Sequence, residues 1–166
     1  MNYQTGSSSF YPVKEFVSGN YCYCGTNDFT SSAHEFRRYD KNTGVQQSNI
    51  SVTWTPLAMG NKSSSELYVL ANDNSGQGKF CVYNTTTNSF YYPMNLPAGL
   101  VQCGYGVGSD YFVIAHSNGT IYRYQYSTNS LLTIATGLVA SKMEFNAELN
   151  ELYVSSGNTF YIFDVQ

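Results

Sequence analysis

One short segment occurs four times in the sequence, and this repetition restricts the possible folds more than any other feature. Each copy has an apolar residue at its second position, Tyr or Phe at its fifth, and Asp, Asn or Gln at its sixth. The copies begin at Glu35, Lys79, Thr120 and Thr159 and read EFRRYDKNTG, KFCVYNTTTN, TIYRYQYSTN and TFYIFDVQ. A repeat with a period of about 40 residues is typical of proteins built from stacked structural units.

A second segment type precedes each of these copies. It reads NYCYC, LYVLA, YFVIA and LYVSS, and it aligns Tyr21, Tyr68, Phe112 and Tyr153. Such short β-branched and aromatic runs, bounded by Gly, Asn, Asp and Ser, indicate β-strands. Two further strand-like segments flank the pair in most copies. Each unit is therefore predicted to contain four strands in about 40–45 residues, which matches the blade of a β-propeller.

The fold class that we predict is all-β, in the form of a four-bladed β-propeller whose blades are four-stranded antiparallel meanders. The blades would span residues 11–52, 53–96, 97–138, and 139–166 together with 2–8, in one domain. Closure is favoured because an open stack would leave two apolar end faces exposed. The composition of residues 139–151 favours a helix, but their position in the repeat favours a strand and a turn.

The last copy stops at Gln166, inside the turn that would lead to its fourth strand. We expect residues 2–5 to supply that strand by pairing with residues 159–165, which would close the ring. The alternative is that this edge pairs with another subunit, giving an eight-bladed ring from two chains or a chain of such modules.

The segment ELYVSSGNTFYIFDVQ at residues 151–166 resembles the YVTN-type and quinoprotein-like β-propeller repeats. In those repeats, as in WD40-like blades generally, a short strand, a turn and an apolar strand follow one another. Residues 66–88 show the same order with a longer loop. The Trp-Asp and Gly-His marks of WD40 repeats are absent. The resemblance implies architecture alone, and it carries no active-site residues onto this chain.

Composition and charge exclude several classes of function. Charged residues are 11% of the chain, aromatic residues are 16%, and the net charge is −3. Arg37 and Arg38 form the one adjacent basic pair, whereas nucleic-acid binding needs clustered cations. The N-terminus lacks the basic start and apolar core of an export signal, and no apolar run approaches the roughly 20 residues of a membrane span. We therefore expect a protein that neither binds nucleic acid nor inserts into a membrane. Its expected location is the cytoplasm or a virion, and the alternative is that a leader was removed before this numbering begins.

The residues that could carry chemistry do not form a catalytic or metal-binding pattern. No Gly-x-Ser-x-Gly elbow accompanies the two histidines, His34 and His116. The glycines of residues 104–108 lead into a strand rather than a helix, and we expect them to allow close approach of an inner strand. We expect the four cysteines to be buried thiols. The sequence therefore predicts a protein that is not an enzyme and has no metal or cofactor.

Binding residues are expected in the loops on one rim of the repeat scaffold, because loops on a rigid frame commonly carry binding. The candidate rim residues are Asp28, Phe29, His34, Trp54, Asp73, Asn74, His116 and Asn118. Trp54 would either serve as a stacking platform on this rim or pack between blades.

Three functions fit a repeat scaffold with binding residues on one rim. The first is a non-enzymatic binding or assembly module whose partner is another protein, including a second copy through the blade edge. The second is a virion or tail component, suggested by the composition rich in Ser, Thr, Asn and Tyr. The third is a lectin that binds glycans by using Trp54 and the Tyr-rich rim as stacking surfaces.

Overall fold

The computed structural model describes residues 10–28, 33–107 and 110–164, and every regular element in these ranges is a β-strand. Sheet 1 contains β1 (Phe10–Ser18), β2 (Tyr21–Asp28), β3 (Ala33–Asp40) and β4 (Gln46–Val52). Sheet 2 contains β5 (Trp54–Asn61), β6 (Glu66–Asp73), β7 (Gly78–Asn84) and β8 (Ser89–Tyr91). Sheet 3 contains β9 (Val101–Val107), β10 (Tyr111–His116), β11 (Ile121–Gln125) and β12 (Ser130–Ala135). Sheet 4 contains β13 (Lys142–Asn146), β14 (Glu151–Ser156) and β15 (Thr159–Asp164).

Each sheet is an antiparallel meander in which strands adjacent in sequence are also adjacent in space. The prediction of an all-β protein is thus confirmed. Residues 139–151 form β13 and the turn after it, so the strand prediction there is right and the local helical propensity is overridden. The described residues contain no helix with the length and apolarity that crossing a membrane requires.

Tight turns join the third and fourth strands, and two of them use asparagine in the same way. Asn88 and Asn129 have positive φ angles of 54° and 48°, a conformation that Asn adopts more readily than most residues. The hydroxyl of Tyr83 donates to Asn88 Oδ1 at 2.6 Å, and that of Tyr124 donates to Asn129 Oδ1 at 3.1 Å. The repeated aromatic residue therefore ties the turn to the strand that precedes it.

Three apolar clusters hold the sheets together, and each cluster lies between two sheets that are consecutive in the chain. Between sheets 1 and 2, the cluster includes Tyr23, Phe36 and Tyr83. A second cluster between sheets 2 and 3 includes Phe80 and Phe112. A third, between sheets 3 and 4, is made of Val113, Ile121, Leu152, Val154 and their neighbours. Each interior sheet is therefore apolar on both faces and is covered on both sides.

Strand pairing assigns equivalent positions in the four sheets. The repeated aromatics Tyr39, Tyr83, Tyr124 and Phe163 lie opposite Cys22, Leu67, Phe112 and Leu152. The sequence alignment, which matched Tyr21, Tyr68, Phe112 and Tyr153, is therefore not the register of the structure. Three of the aligned residues are offset by one position from these structural equivalents and Phe112 is not, which places Phe112 on the opposite face of its sheet from the other three.

The predicted closed four-bladed propeller is wrong. The described residues form four separate sheets, none of them closed, and sheet 4 has three strands among them. In a closed ring the outer faces of sheets 1 and 4 would cover each other. Instead Phe160 and Ile162 on sheet 4 are 63% and 58% exposed, and Val17 on sheet 1 is 58% exposed. The expected closing strand at residues 2–5 lies outside the described residues.

Candidate functional site

His34, one of the predicted rim residues, connects sheet 1 to sheet 2. Its imidazole is buried, with Nε2 2.8 Å from Asn74 Oδ1 and Nδ1 3.3 Å from the hydroxyl of Thr55. Two predicted rim residues, His34 and Asn74, are thus brought together. Both nitrogens of the histidine are occupied by neighbours within the chain, which makes the ring a connector in this state rather than a free base.

His116 fixes the segment that joins sheets 2 and 3. The backbone N–H of Asn118 donates to its Nδ1 at 3.2 Å, and its Nε2 lies 3.2 Å from the carbonyl oxygen of Pro97. Because an N–H can only donate and a carbonyl can only accept, the neutral ring carries its proton on Nε2. The ring is fully buried. Its two hydrogen bonds are the polar contacts that make this burial tolerable.

Trp54 packs between sheets, which is the second of the two roles considered for it. The indole is buried, its ring centroid is 5.0 Å from that of Phe90, and it also contacts Phe36. Its Nε1 donates to the hydroxyl of Tyr92 at 3.2 Å. The aromatic group that reaches solvent here is therefore Tyr92, which is 54% exposed. The sequence reading did not select Tyr92, although its place in the run FYYP beside a short edge strand is a usable signal.

The remaining rim residues have local roles or lie outside the described part. Asn118 is exposed, and its side chain bonds to Thr120 and Tyr122. The side chain of Asp28 and all of Phe29 are outside the described residues.

Asp73 lies at the edge of a cleft of 650 Å³, which we call the rim cleft. It is lined by Trp54, Asp73, Gln77, Lys79, Tyr92, Asn95 and apolar residues around Leu96. The hydroxyl of Ser75, the backbone N–H of Gln77 and the ammonium of Lys79 hold the pKa of the Asp73 carboxyl well below its usual range. Lys79 Nζ is 3.1 Å from Asp73 Oδ2. The cleft therefore combines one exposed aromatic ring with a charged pair and amide groups.

A second cavity, of 770 Å³, lies where the innermost strands of all four sheets meet. Its lining includes Lys14 and Glu15 of sheet 1, Lys62 beside sheet 2, and Glu144 of sheet 4. The positive and negative groups balance, so the cavity favours neither anions nor cations.

Glycines on the inner strands allow the sheets to approach closely at this cavity. A Cβ on Gly60 would lie 2.9 Å from the Cα of Gly106, and one on Gly104 would lie 2.5 Å from Leu70 Cδ2. Real Cβ atoms are not found so close to other atoms. The role predicted for the glycines of residues 104–108 is therefore confirmed for Gly104 and Gly106.

A cluster of ionisable groups that the sequence reading missed joins sheets 2 and 3. Lys62 pairs with Glu66 and lies 3.8 Å from the ring centroid of Tyr126. The hydroxyl of Tyr91 is 3.2 Å from that of Tyr126 and donates to Glu66 Oε1 at 3.1 Å. The hydrogen bond with Tyr91, followed by the contact with Lys62, lowers the pKa of Tyr126.

The cysteines are free thiols, as expected, and Cys22, Cys24 and Cys81 are buried whereas Cys103 is half-buried. Burial raises the pKa of Cys24 to about 12 and that of Cys103 to about 11. Because the thiolate is the nucleophilic form, thiols with such pKa values are poorly reactive. The described part of the chain contains no group of three or more His, Cys, Asp or Glu side chains arranged to hold a metal ion.

The outer side of sheet 4 presents an apolar surface that we call the end face. Alternation along the three strands places Lys142, Glu144, Tyr153, Ser155, Phe160 and Ile162 on it. The side chain of Phe160 packs beside Tyr153, with ring centroids 5.7 Å apart, and both border a hollow of 290 Å³. The signal for this face in the sequence is that β15 reads TFYIFD, with apolar residues on both of its sides.

The comparisons bear on the fold and not on the site. No family model matches the chain, and no curated protein matches its sequence. Among solved structures, the crystal structure of the computationally designed Ika8 protein is similar, with a TM-score of 0.64 and 16% sequence identity. The match covers 91% of this chain but 45% of the designed one, so this chain spans less than half the length of the structure that it matches. At this identity the likeness shows the fold alone, which places the chain in a class of all-β proteins with successive antiparallel sheets.

Proposed function

We propose that this protein is a non-enzymatic binding and assembly module. The observation that carries the proposal is the end face, where Phe160 and Ile162 are more than half exposed on a sheet whose other side is packed. Exposed apolar patches bordered by polar residues commonly mark interaction sites. Lys142, Glu144 and Ser155 supply the polar border.

The hydrogen bonds of the histidines and the pKa values of the thiols support a role other than catalysis. In both histidines the two ring nitrogens are occupied by contacts with other residues of the chain. The thiols of Cys24 and Cys103 have raised pKa values. The four-fold repeat and its resemblance to YVTN-type units support the same proposal, because repeat scaffolds offer extended surfaces for partners. A virion or tail component would need such assembly. The composition rich in Ser, Thr, Asn and Tyr supports this more specific proposal.

Photo-crosslinking in the cells that produce the protein tests this proposal. Benzoylphenylalanine replaces Ile162 on the end face, and the same residue at Leu132, which is 52% exposed on sheet 3, is the matched control. A defined polypeptide crosslinked from position 162 and not from 132, identified by mass spectrometry, is expected. The absence of any product specific to position 162 would contradict the proposal.

Carbohydrate binding in the rim cleft is a second candidate, and Tyr92 is the observation that favours it. An exposed aromatic ring beside Asp73, Lys79 and Asn95 offers a stacking surface with hydrogen-bonding groups at its border. A glycan array tests this reading. The Tyr92→Ala variant is expected to lose the signal of the unchanged protein, whereas Tyr92→Phe, which keeps the ring, is expected to retain it. An array on which the unchanged protein gives no signal would remove this candidate.

A further inference from the structure

The two ends of the stack of sheets differ in how well they are covered. On the outer side of sheet 1, Cys22, Cys24 and Tyr39 are all buried, and Val17 is the exposed apolar exception. On the end face of sheet 4, both apolar residues of β15 are exposed. Among the described residues, an uncovered apolar surface therefore occurs at the sheet 4 end of the stack and not at the sheet 1 end.

Equivalent positions elsewhere in the chain show what the end face lacks. Strand pairing makes Phe160 and Ile162 the counterparts of Phe80 and Val82 on sheet 2. Phe80 and Val82 are buried against sheet 3, where Phe80 contacts Phe112 and Tyr124. Sheet 4 thus has apolar residues at the positions that sheet 3 covers on sheet 2, but on sheet 4 these residues are exposed.

The end face has the properties of a surface that pairs with itself. Its two charged residues, Lys142 and Glu144, have opposite signs, lie 3.4 Å apart and are both largely exposed. A two-fold axis that passes between these two residues would bring each charge close to its opposite on a second copy. Ile162 is exposed and lies opposite Tyr153, which borders the hollow together with Phe160, so the face has an exposed apolar side chain next to a recess.

We propose that two copies of this chain form a two-fold symmetric dimer in which the end face of one packs on the end face of the other. This inference rests on the proposed assembly function and names a second copy as the partner. A surface that occurs once per chain and complements itself gives a closed, isologous pair.

The molar mass in solution, measured by light scattering and sedimentation equilibrium over a range of concentrations, tests the dimer. We expect the unchanged protein to approach twice the 18.5 kDa of one chain. Ile162→Asp is expected to weaken association at least about 30-fold, the equivalent of losing one central apolar contact. Phe160→Ser serves as a second variant, and circular dichroism identifies any variant that fails to fold.

Two matched controls place an aspartate on other exposed apolar residues. Leu132→Asp on sheet 3 and Val17→Asp on sheet 1 are expected to leave the mass unchanged. The double variant Lys142→Glu/Glu144→Lys exchanges the two charges, keeps the face complementary to itself, and is expected to associate like the unchanged protein.

Three results of the mass measurements would overturn the dimer. One is a mass of 18.5 kDa at every concentration, and another is a dimer that Ile162→Asp leaves intact. The third is a dimer disrupted by Val17→Asp, which would indicate sheet 1 as the partner surface. A crosslink from position 162 to a different protein would also overturn the dimer, while the proposed assembly function would stand.

Discussion

Polar side chains near the ends of strands connect sheets that are consecutive in the chain. Asn72 is an example, because its amide donates to the carbonyl of Val101 and accepts from the N–H of the same residue, both at 2.8 Å. His34 and His116 act similarly. That both histidines lie beside turn-forming residues could be predicted from the sequence. Their partners could not, because those partners are brought close by the packing of sheets rather than by any local pattern.

Replacing His116 with leucine tests this structural role. The substitution removes both hydrogen bonds of the buried ring, so the N–H of Asn118 loses its acceptor, whereas the carbonyl of Pro97 still accepts from Gln77 Nε2. We expect the free energy of unfolding to fall by about 2 kcal/mol, as measured by urea denaturation. Ser117→Ala, at an exposed neighbouring position, is the control and should change stability little. Equal stability of His116→Leu and the unchanged protein would contradict the role assigned to the ring.

Burial of weak acids predicts a loss of stability at alkaline pH. The pKa of Cys24 rises from 9.0 to about 12 in the folded protein, and that of Tyr23 rises from 10.0 to about 12. Between these values the unfolded chain has lost protons that the folded chain retains, so ionisation favours unfolding. Stability should therefore decline as the pH rises from about 9 towards 12.

Thermal melting across this pH range measures the decline. Cys24→Ala removes one of the groups responsible and should give a shallower dependence on pH than the unchanged protein. If the melting temperature falls equally steeply with pH in both proteins, Cys24 does not contribute to the loss of stability.

At the scale of strands, the sequence was sufficient to predict where most elements lie but not how they pair. Aromatic and β-branched runs between turn residues marked the strands correctly. Runs such as LYVLA and YFVIA, however, are apolar on both faces because both faces are buried. A strand of this kind has no hydrophobic alternation to set its register. The one-residue difference between the alignment and the structure follows from this lack of alternation.

Gly60→Ala tests the close approach of β5 and β9. The new Cβ would lie 2.9 Å from the Cα of Gly106, so the two strands must separate. Overpacking of this kind typically costs about 1–3 kcal/mol, and chemical denaturation measures it. Gln102→Ala, at an exposed position on β9, is the matched control. If Gly60→Ala unfolds at the same denaturant concentration as the control, the inner strands are not as close as described.

At the scale of the whole molecule, ring closure is the feature that sequence reasoning predicted wrongly. Closure of the ring was predicted because exposed apolar end faces are unfavourable in water. The structure keeps one such face exposed, and a second chain can cover it as well as a ring can. The apolar residues of β15 were visible in the sequence, but their pattern is the same whether a sheet of the same chain or of another chain covers them.

The accessibility of the end face in a single chain is the most direct test of this account. Cysteine replaces Phe160, and a thiol reagent is applied at a concentration where the chain is monomeric. If the end face is uncovered, the cysteine of Phe160→Cys should be modified about as fast as that of a Leu132→Cys control. It should be modified much faster than the buried native cysteines. Modification of Phe160→Cys as slow as that of the native cysteines would contradict it, because the end face would then be covered within the chain.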